Sequence, residues 1–395
     1  MNSKVNRKIL KLSGWFALLF AGCALVAGIL EGIVLAISAP VGFIDAGERW
    51  SASGEPYAVI SLYTEDSSAL SGDQIGQYAQ AMESALLSAS VEGSERGRVW
   101  TYACSAESIR PVTGPKSTAS AAVTACGGDF FVFHPLNFIY GTSFLNDSSI
   151  PHGVVIDEDL AWKIFGAIDV VGMDLTMNGL TLTVVGITAA ERNSEAYTYT
   201  YGDMPRMYMN YSAYEKINGK AADITAYEVT LPNPVKSFAM NIFKTAVTVN
   251  EDTTSLTEAS ARYGVMNRFE NMKRLKYSFV RGDKVSYPYW ENEARMIDYS
   301  CAVIMIFEVI CLAAGVFSML FSFILFRVSG FTVTDSVKNL YGKFAAERAK
   351  RPKKEKKPKV IKQKSGNRKQ AGPLKSRSGK TEKTTTTVKK DGVRQ

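Results

Sequence analysis

The sequence predicts an α+β domain held between two transmembrane helices and followed by a disordered basic tail. Three observations carry this prediction. Two apolar runs, one uncharged and one with a single charge, flank a long polar interval. That interval holds short alternating strand patterns mixed with helix-period patterns. Beyond Arg351 apolar residues become scarce and lysine dominates.

Charge separates the tail from the rest. The 395 residues carry a net charge of +8. Residues 341–395 hold 20 Lys and Arg against 4 acids, so the residues before them are net negative. The basic balance therefore describes the tail alone.

The first run, LSGWFALLFAGCALVAGIL (Leu12 to Leu30), has 19 residues and no charge, enough to cross a bilayer. A cleaved signal peptide is its rival, with ISAP as the cleavage region. The run is long for a signal core, so an uncleaved anchor is expected. The second run, Tyr299 to Phe326, contains one charge, Glu308. Lys4, Arg7, Lys8 and Lys11 precede the first run, and Arg327, Lys338 and the tail follow the second. Positive flanks stay in the cytoplasm, so both termini are expected there and the interval outside. The expected division of this two-pass cell-membrane protein is a cytoplasmic N-terminus (1–11), a first membrane helix (12–40) and an extracytoplasmic domain (41–298). A second membrane helix (299–327), an amphipathic cytoplasmic segment (328–350) and a disordered Lys-rich tail (351–395) complete it.

Small residues form stripes on both helices. Ala24, Gly28, Gly32 and Ala36 recur every fourth residue, and Gly315 and Ser318 continue a face that begins at Cys301 and Glu308. Such faces let another helix approach closely, so a homo- or hetero-oligomer is expected. Glu31 lies eight residues inside Ala39 and Glu308 nine inside Tyr299. At about 1.5 Å per residue both fall roughly 12–14 Å below the outer helix ends. Carboxyls at that depth are costly unless protonated or paired. Either the two share a proton or meet a cation on another subunit, or the first helix is shifted and Glu31 reaches interfacial water.

Outside the membrane, YAVISLYT (Tyr57 to Thr64) alternates as a strand. A helix follows, with Ile75, Tyr78, Met82, Leu86 and Ala89 at helical spacing and Ser71 or Asp73 as its cap. RVWTYAC and SAAVTAC read as strands separated by a Gly/Pro/Ser-rich connection at Pro111 to Ser117. They end in Cys104 and Cys126, disulfide candidates if this region is outside the cell; two unpaired thiols are the alternative. GGDFFVFHPLNFIYG (Gly127 to Gly141) is aromatic-rich and expected to be buried, with His134 packed inside it. Val154 to Ile156 forms a short strand. Asp157 to Asp159 then open a helix bearing Leu160, Ala161, Ile164 and Phe165, where acids complement the helix dipole better than they suit a metal. Asn178-Gly179 joins MDLTM to LTLTVVGI as a hairpin. AYEVTL (Ala226 to Leu231) is a further strand and Pro234 to Val247 a helix. Ser260 to Phe279 is mixed and partly basic and leads back to the membrane.

Three of these stretches, in order, resemble the periplasmic core domain of MacB/FtsX-type ABC transporter permeases: GGDFFVFHPLNFIYG, GVVIDEDLAWKIFG and VVGMDLTMNGLTLTVVGI. The resemblance covers residues 12 to 326 and is strongest from 127 to 187. It implies a MacB-like α+β core and a separate cytoplasmic ABC ATPase as partner. It also implies work outside the membrane, such as efflux or mechanotransmission. The family pattern has four membrane helices, three after the core, and one follows here. The last two are expected to be lacking, as in a half-permease, a truncated relative or a regulator. The rival reading is a membrane-anchored adaptor or sensor that binds an extracellular partner without an ATPase.

In the cytoplasmic segment Val337, Leu340, Tyr341 and Phe344 fall at helical spacing among basic residues. They are expected to lie on the lipid surface or to meet the ATPase. The tail beyond them is disordered by composition and attracts anionic lipids. No aromatic residue follows Phe344, so the tail offers nucleic acid no stacking platform. No H-E-x-x-H, G-x-S-x-G, P-loop or Cys/His cluster occurs, so neither an enzyme nor a cofactor is expected.

Overall fold

A computed structural model describes residues 3–39, 41–51, 54–91, 98–144, 152–191, 195–219, 222–259, 262–278, 285–329, 341–342 and 346. The chain divides into two units, Met1–Phe331 and Thr332–Gln395. In the second unit Tyr341 is described and exposed. Val337, Leu340, Phe344 and the tail from 351 lie outside the described residues.

The first unit begins with α1 (Ser3–Ser38), a 3-10 turn (Gly42–Asp45) and α2 (Ala46–Trp50). β1 (Tyr57–Thr64), β2 (Leu70–Ser71) and α3 (Gly72–Ser88) follow. Ser71 caps α3 through a reciprocal pair with Gln74, which satisfies two backbone donors at once. β3 (Thr101–Thr113) and β4 (Thr118–Gly128) form a long hairpin, then α4 (Phe130–Phe133) and β5 (Phe138–Gly141). The hairpin corrects the expected long connection, because β3 runs on through Pro111. On its other side β3 is paired up to Ser105 and again only at Thr113, so Pro111 lies in a gap between those pairings.

β6 (Gly153–Asp157), α5 (Glu158–Phe165), β7 (Asp174–Met177) and β8 (Leu180–Thr188) come next. Asp157 caps α5 by accepting from the Leu160 amide at 2.7 Å. The β7–β8 turn places Asn178 at φ 47° and Gly179 at φ 81°, the left-handed pair that a two-residue hairpin requires. The unit continues with α6 (Glu195–Tyr201), β9 (Arg206–Asn210), α7 (Tyr211–Asn218), β10 (Ala222–Ile224) and β11 (Ala226–Pro232). It closes with α8 (Phe238–Ala246), β12 (Thr254–Glu258), α9 (Val265–Ser278) and α10 (Tyr289–Val328).

The main sheet runs β12-β1-β11-β3-β4-β9-β6-β8-β5, and β7 bridges β3 and β8. That bridge closes β3, β4, β9, β6, β8 and β7 into a ring. The sheet faces two cores. One packs Ile60, Leu62, Val123, Ile156, Val184 and Tyr227 against α3, α5 and α8. The other gathers Phe43, Val59, Phe130, Phe133, Tyr208, Tyr289 and Trp290.

Strand register corrects the proposed disulfide. Cys104 lies opposite Gly127, and Ser105 opposite Cys126. Residues directly opposite share a face and successive residues alternate, so the two thiols project from opposite sides of the sheet. Cys104 belongs to the first core and Cys126 to the second, and both are free. Burial pushes the Cys104 thiol up to about 12.

Candidate functional site

The second core is where the long helices meet the domain. The helix that carries the second apolar run starts at Tyr289, ten residues before the run itself. Its first turns are buried in the domain and stacked into four separate contacts.

Tyr289 lies against Arg206, which opens β9. The Arg206 guanidinium sits 3.9 Å from the Tyr289 ring centre, 4.8 Å from Tyr208 and 5.1 Å from Tyr197. Glu191 pairs with Arg206 at 3.2 Å and accepts from the Tyr289 hydroxyl at 3.2 Å. A guanidinium taken out of water needs such charge and ring partners. The Glu107 residue is half-buried nearby with a carboxyl oxygen fully covered, and loss of water pushes that carboxyl up to about 7 against the pull of Tyr201 and Arg206. Asp157 is raised in the same way to about 6, restrained by the Leu160 and Arg206 amides.

Trp290 packs at a tilt on His134, ring centres 4.3 Å apart, with Phe130 4.6 Å from the same imidazole. His134 Nε2 meets Glu228 Oε2 at 2.6 Å, and the Ser61 hydroxyl donates to the other Glu228 oxygen at 3.3 Å. Both members of the pair are buried. Glu291, fully buried, takes a two-pronged grip from Arg262 at 2.7 and 2.9 Å. Arg262 also donates from Nε to Asp298 at 2.8 Å, and Arg295 donates to Glu291 at 2.9 Å. Asn292 donates to Thr200 of α6 at 2.8 Å. One helical turn of α10 is thus held by β9, α4, the segment before α9, and α6.

The entry from α1 differs. The chain leaves the helix at Ser38 and returns through the 3-10 turn and α2. Arg49 ties this connector down by donating to the backbone carbonyls of Gly42, Val132 and Phe133 at 2.7, 2.7 and 3.0 Å. Phe43 reaches the His134 ring at 5.9 Å. Both long helices therefore converge on α4 and His134.

Below this level α1 and α10 pack on each other. Glu31 and Glu308 are brought together by Arg268 of α9. Its Nη2 lies 2.6 Å from Glu31, and its Nη1 lies 3.2 and 3.3 Å from the Glu308 oxygens. Arg268 is 1% exposed, Glu308 8% and Glu31 44%, measured on side chains, so Glu31 alone reaches outward. The cation, one expectation for which was another subunit, comes from this chain itself. Gly315 and Ser318 are buried in the helix pair, and a Cβ on Gly315 would stand 3.5 Å from that of Cys23. Ala24, Gly28, Gly32 and Ala36 are on the exposed side of α1, and a Cβ at Gly28 or Gly32 would meet no described residue within 4 Å.

Arg206, Arg262, Arg268 and the His134–Glu228 pair were not singled out from sequence. One signal was available. Glu291, Arg295 and Asp298 stand at i, i+4 and i+7, a charged face leading directly into an apolar helix. Such a face needs partners if the helix is to enter a protein core.

The model of the MacB-like periplasmic core domain family matches residues 17–262, more than half of the chain. No curated protein matches. Among solved structures, the periplasmic region of MacB from Actinobacillus actinomycetemcomitans is 12% identical with a TM-score of 0.37, and the match covers 53% of this chain and 92% of that one. The extracellular domain of the ABC-type transporter YknZ from Gram-positive bacteria is 13% identical with a TM-score of 0.36, covering 50% and 99%. The match to the family model, with two helices long and apolar enough to span a bilayer, makes this a membrane protein with an extracytoplasmic domain. The chain belongs to the MacB-like periplasmic core domain family.

Proposed function

We propose that the chain is the permease-type subunit of an ABC transporter complex. In this reading a separate cytoplasmic ATPase drives movement of the extracytoplasmic domain, for efflux or for mechanotransmission. Both termini lie in the cytoplasm, the basic tail lies on anionic lipid, and the membrane helices pair with further helices in an oligomer.

The observation that carries the reading is the continuity of α10. It runs 40 residues without a break, from a buried first turn in the domain to Val328. At about 1.5 Å per residue that is a rod of roughly 60 Å. Tilting its membrane end must load the contacts at Tyr289, Trp290 and Glu291, because all three side chains are buried in a close-packed interior.

The test is purification from membranes after cross-linking, with identification of what is captured. A P-loop ATPase of the ABC class is expected. Its ATP turnover in the complex is expected to fall when Trp290→Ala loosens the head of α10. Capture of extracellular proteins alone, with no ATPase, would leave the chain an adaptor and end the transporter reading.

A further inference from the structure

α9 follows directly on the stretch matched by the family model, which ends at residue 262. Arg268 on its inner side is locked between Glu31 and Glu308. The charge-free runs beyond that triad are Leu12–Leu30 in α1 and Val309–Phe326 in α10. At about 1.5 Å per residue they measure roughly 27–29 Å, the thickness of a hydrocarbon core. Lys11 and Arg327 close the same two runs at their other ends. Ion triad and basic pair thus bracket one bilayer. The carboxyls then mark its outer edge, and the helix above them stands outside the hydrocarbon.

At that level α9 turns an apolar surface outward. Val265 is 63% and Met266 69% exposed. Lys273 lies over the half-buried Phe269 ring at 4.6 Å and pairs with Glu270 at 2.8 Å, both charges half exposed. The sequence adds Arg274 and Lys276. Ile33, Leu35, Ile306 and Phe307, all within about a turn above the triad and so within the depth of a headgroup layer, are exposed as well. A helix this charged does not run in hydrocarbon, and one with bare Val and Met beside basic residues fits the interface.

We infer that α9 is an interfacial helix seated on the outer leaflet, that its partner is the phospholipid headgroup layer, and that Arg268 fixes it there by binding both membrane helices. This rests on α1 and α10 spanning the bilayer. Lipid contact, together with domain contact, then defines where the head of α10 sits.

The test uses the full chain in nanodiscs of phosphatidylethanolamine and phosphatidylglycerol. A fluorescent amino acid replaces Met266, with Phe317 on α10 and Val235 on the domain surface as references, each 64% exposed. Lipids are brominated near the glycerol or near the chain terminus. Met266 is expected to be quenched at least about twofold more by the shallow label, as for a helix at the acyl–headgroup boundary. Phe317 should prefer the deep label and Val235 neither. Arg268→Gln should lower the shallow quenching at Met266 and leave Phe317 unchanged. A Met266 probe that behaves like Val235 places α9 in water or against protein; one that behaves like Phe317 places it in hydrocarbon. Either result overturns the inference, as does full shallow quenching in Arg268→Gln. Loss of deep quenching at Phe317 would instead remove the spanning helices on which the inference depends.

Discussion

The two membrane helices enter the same domain in opposite ways. α10 continues unbroken into the second core, where its first turn meets buried partners on several sides. α1 stops at Ser38 and hands over to a 3-10 turn and a five-residue helix, held by an exposed arginine on backbone carbonyls. The difference separates a rod from a tether. A rod transmits tilt and rotation; a tether transmits only pull. Both end at α4, so the domain is joined to the two helices at one place by attachments of different stiffness.

Removing charge partners tests the contrast most sharply. Arg262→Ala strips the two-pronged partner from the buried Glu291 and leaves it only Arg295, which should cost about 3 kcal/mol, the low end for breaking a buried pair. Arg49→Ala removes hydrogen bonds from carbonyls that water can reach, which should cost about 1–2 kcal/mol. Thermal unfolding of the detergent-purified protein should therefore show a much lower midpoint for Arg262→Ala. Equal shifts would mean that α1 is anchored as firmly as α10.

The grip on α10 should also depend on pH through Glu107. Its folded value is raised to about 7 from 4.5, so the folded state holds the proton more tightly than the unfolded chain. The stability this contributes is fully present below about 4.5 and is lost as pH rises through about 7, by roughly 3 kcal/mol. Its surroundings are Tyr201 of α6, Thr124 of β4 and Arg206 of β9, with Cys126 behind them. Glu107→Gln stays neutral and should unfold at a midpoint that falls less between pH 5 and pH 8 than wild type does. A parallel fall in both proteins would assign the pH dependence elsewhere.

Within the ion triad the two carboxylates should be unequal. Glu308 is buried and Glu31 is 44% exposed. Glu308→Gln should destabilise by about 1–3 kcal/mol. Glu31→Gln, screened by solvent, should cost under about 1 kcal/mol. The reverse order, read from the same unfolding midpoints, would mean that α1 carries the charge that holds Arg268.

What was legible in the sequence was local. Alternation set Tyr57 to Thr64 as a strand, the Asn178-Gly179 pair set its hairpin, and Ser71 with Gln74 set the start of α3. Each signal is written within a few residues. The sheet ring and the head of α10 were not legible, because they depend on distant pairings. The charges at Glu291, Arg295 and Asp298 interrupt the apolar pattern before Tyr299; Arg262, 29 residues from Glu291, compensates the two acids, and Glu291 in turn pairs with Arg295. The helix from Pro234 starts later than its pattern suggested, since Ser237 takes a left-handed conformation before Phe238. Glu31 and Glu308 could be seen as costly, whereas Arg268 stands 237 positions from one and 40 from the other. Periodicity reports which face is buried and does not say what it is buried against.

The smallest effect lies where the rod and the tether run side by side. The Ser13 hydroxyl donates to the Ser322 carbonyl at 2.9 Å, and the Ser322 hydroxyl donates back to the Ser13 carbonyl at 2.9 Å. Phe16 packs edge-on against Phe321 at 4.7 Å, next to this exchange. Side-chain hydrogen bonds between membrane helices are each worth only about 0.6 kcal/mol, because the separated helices satisfy their own groups. A double-mutant cycle of Ser13→Ala and Ser322→Ala, read by unfolding in mixed micelles, should therefore give a coupling of about 0.5–1 kcal/mol. That value would leave the helix pair weakly joined at this end and firmly joined at the triad, so α10 could pivot against α1 about Arg268. A coupling near the size of the Arg262 effect would fuse the helices into one body, and the distinction between rod and tether would then hold only at the domain.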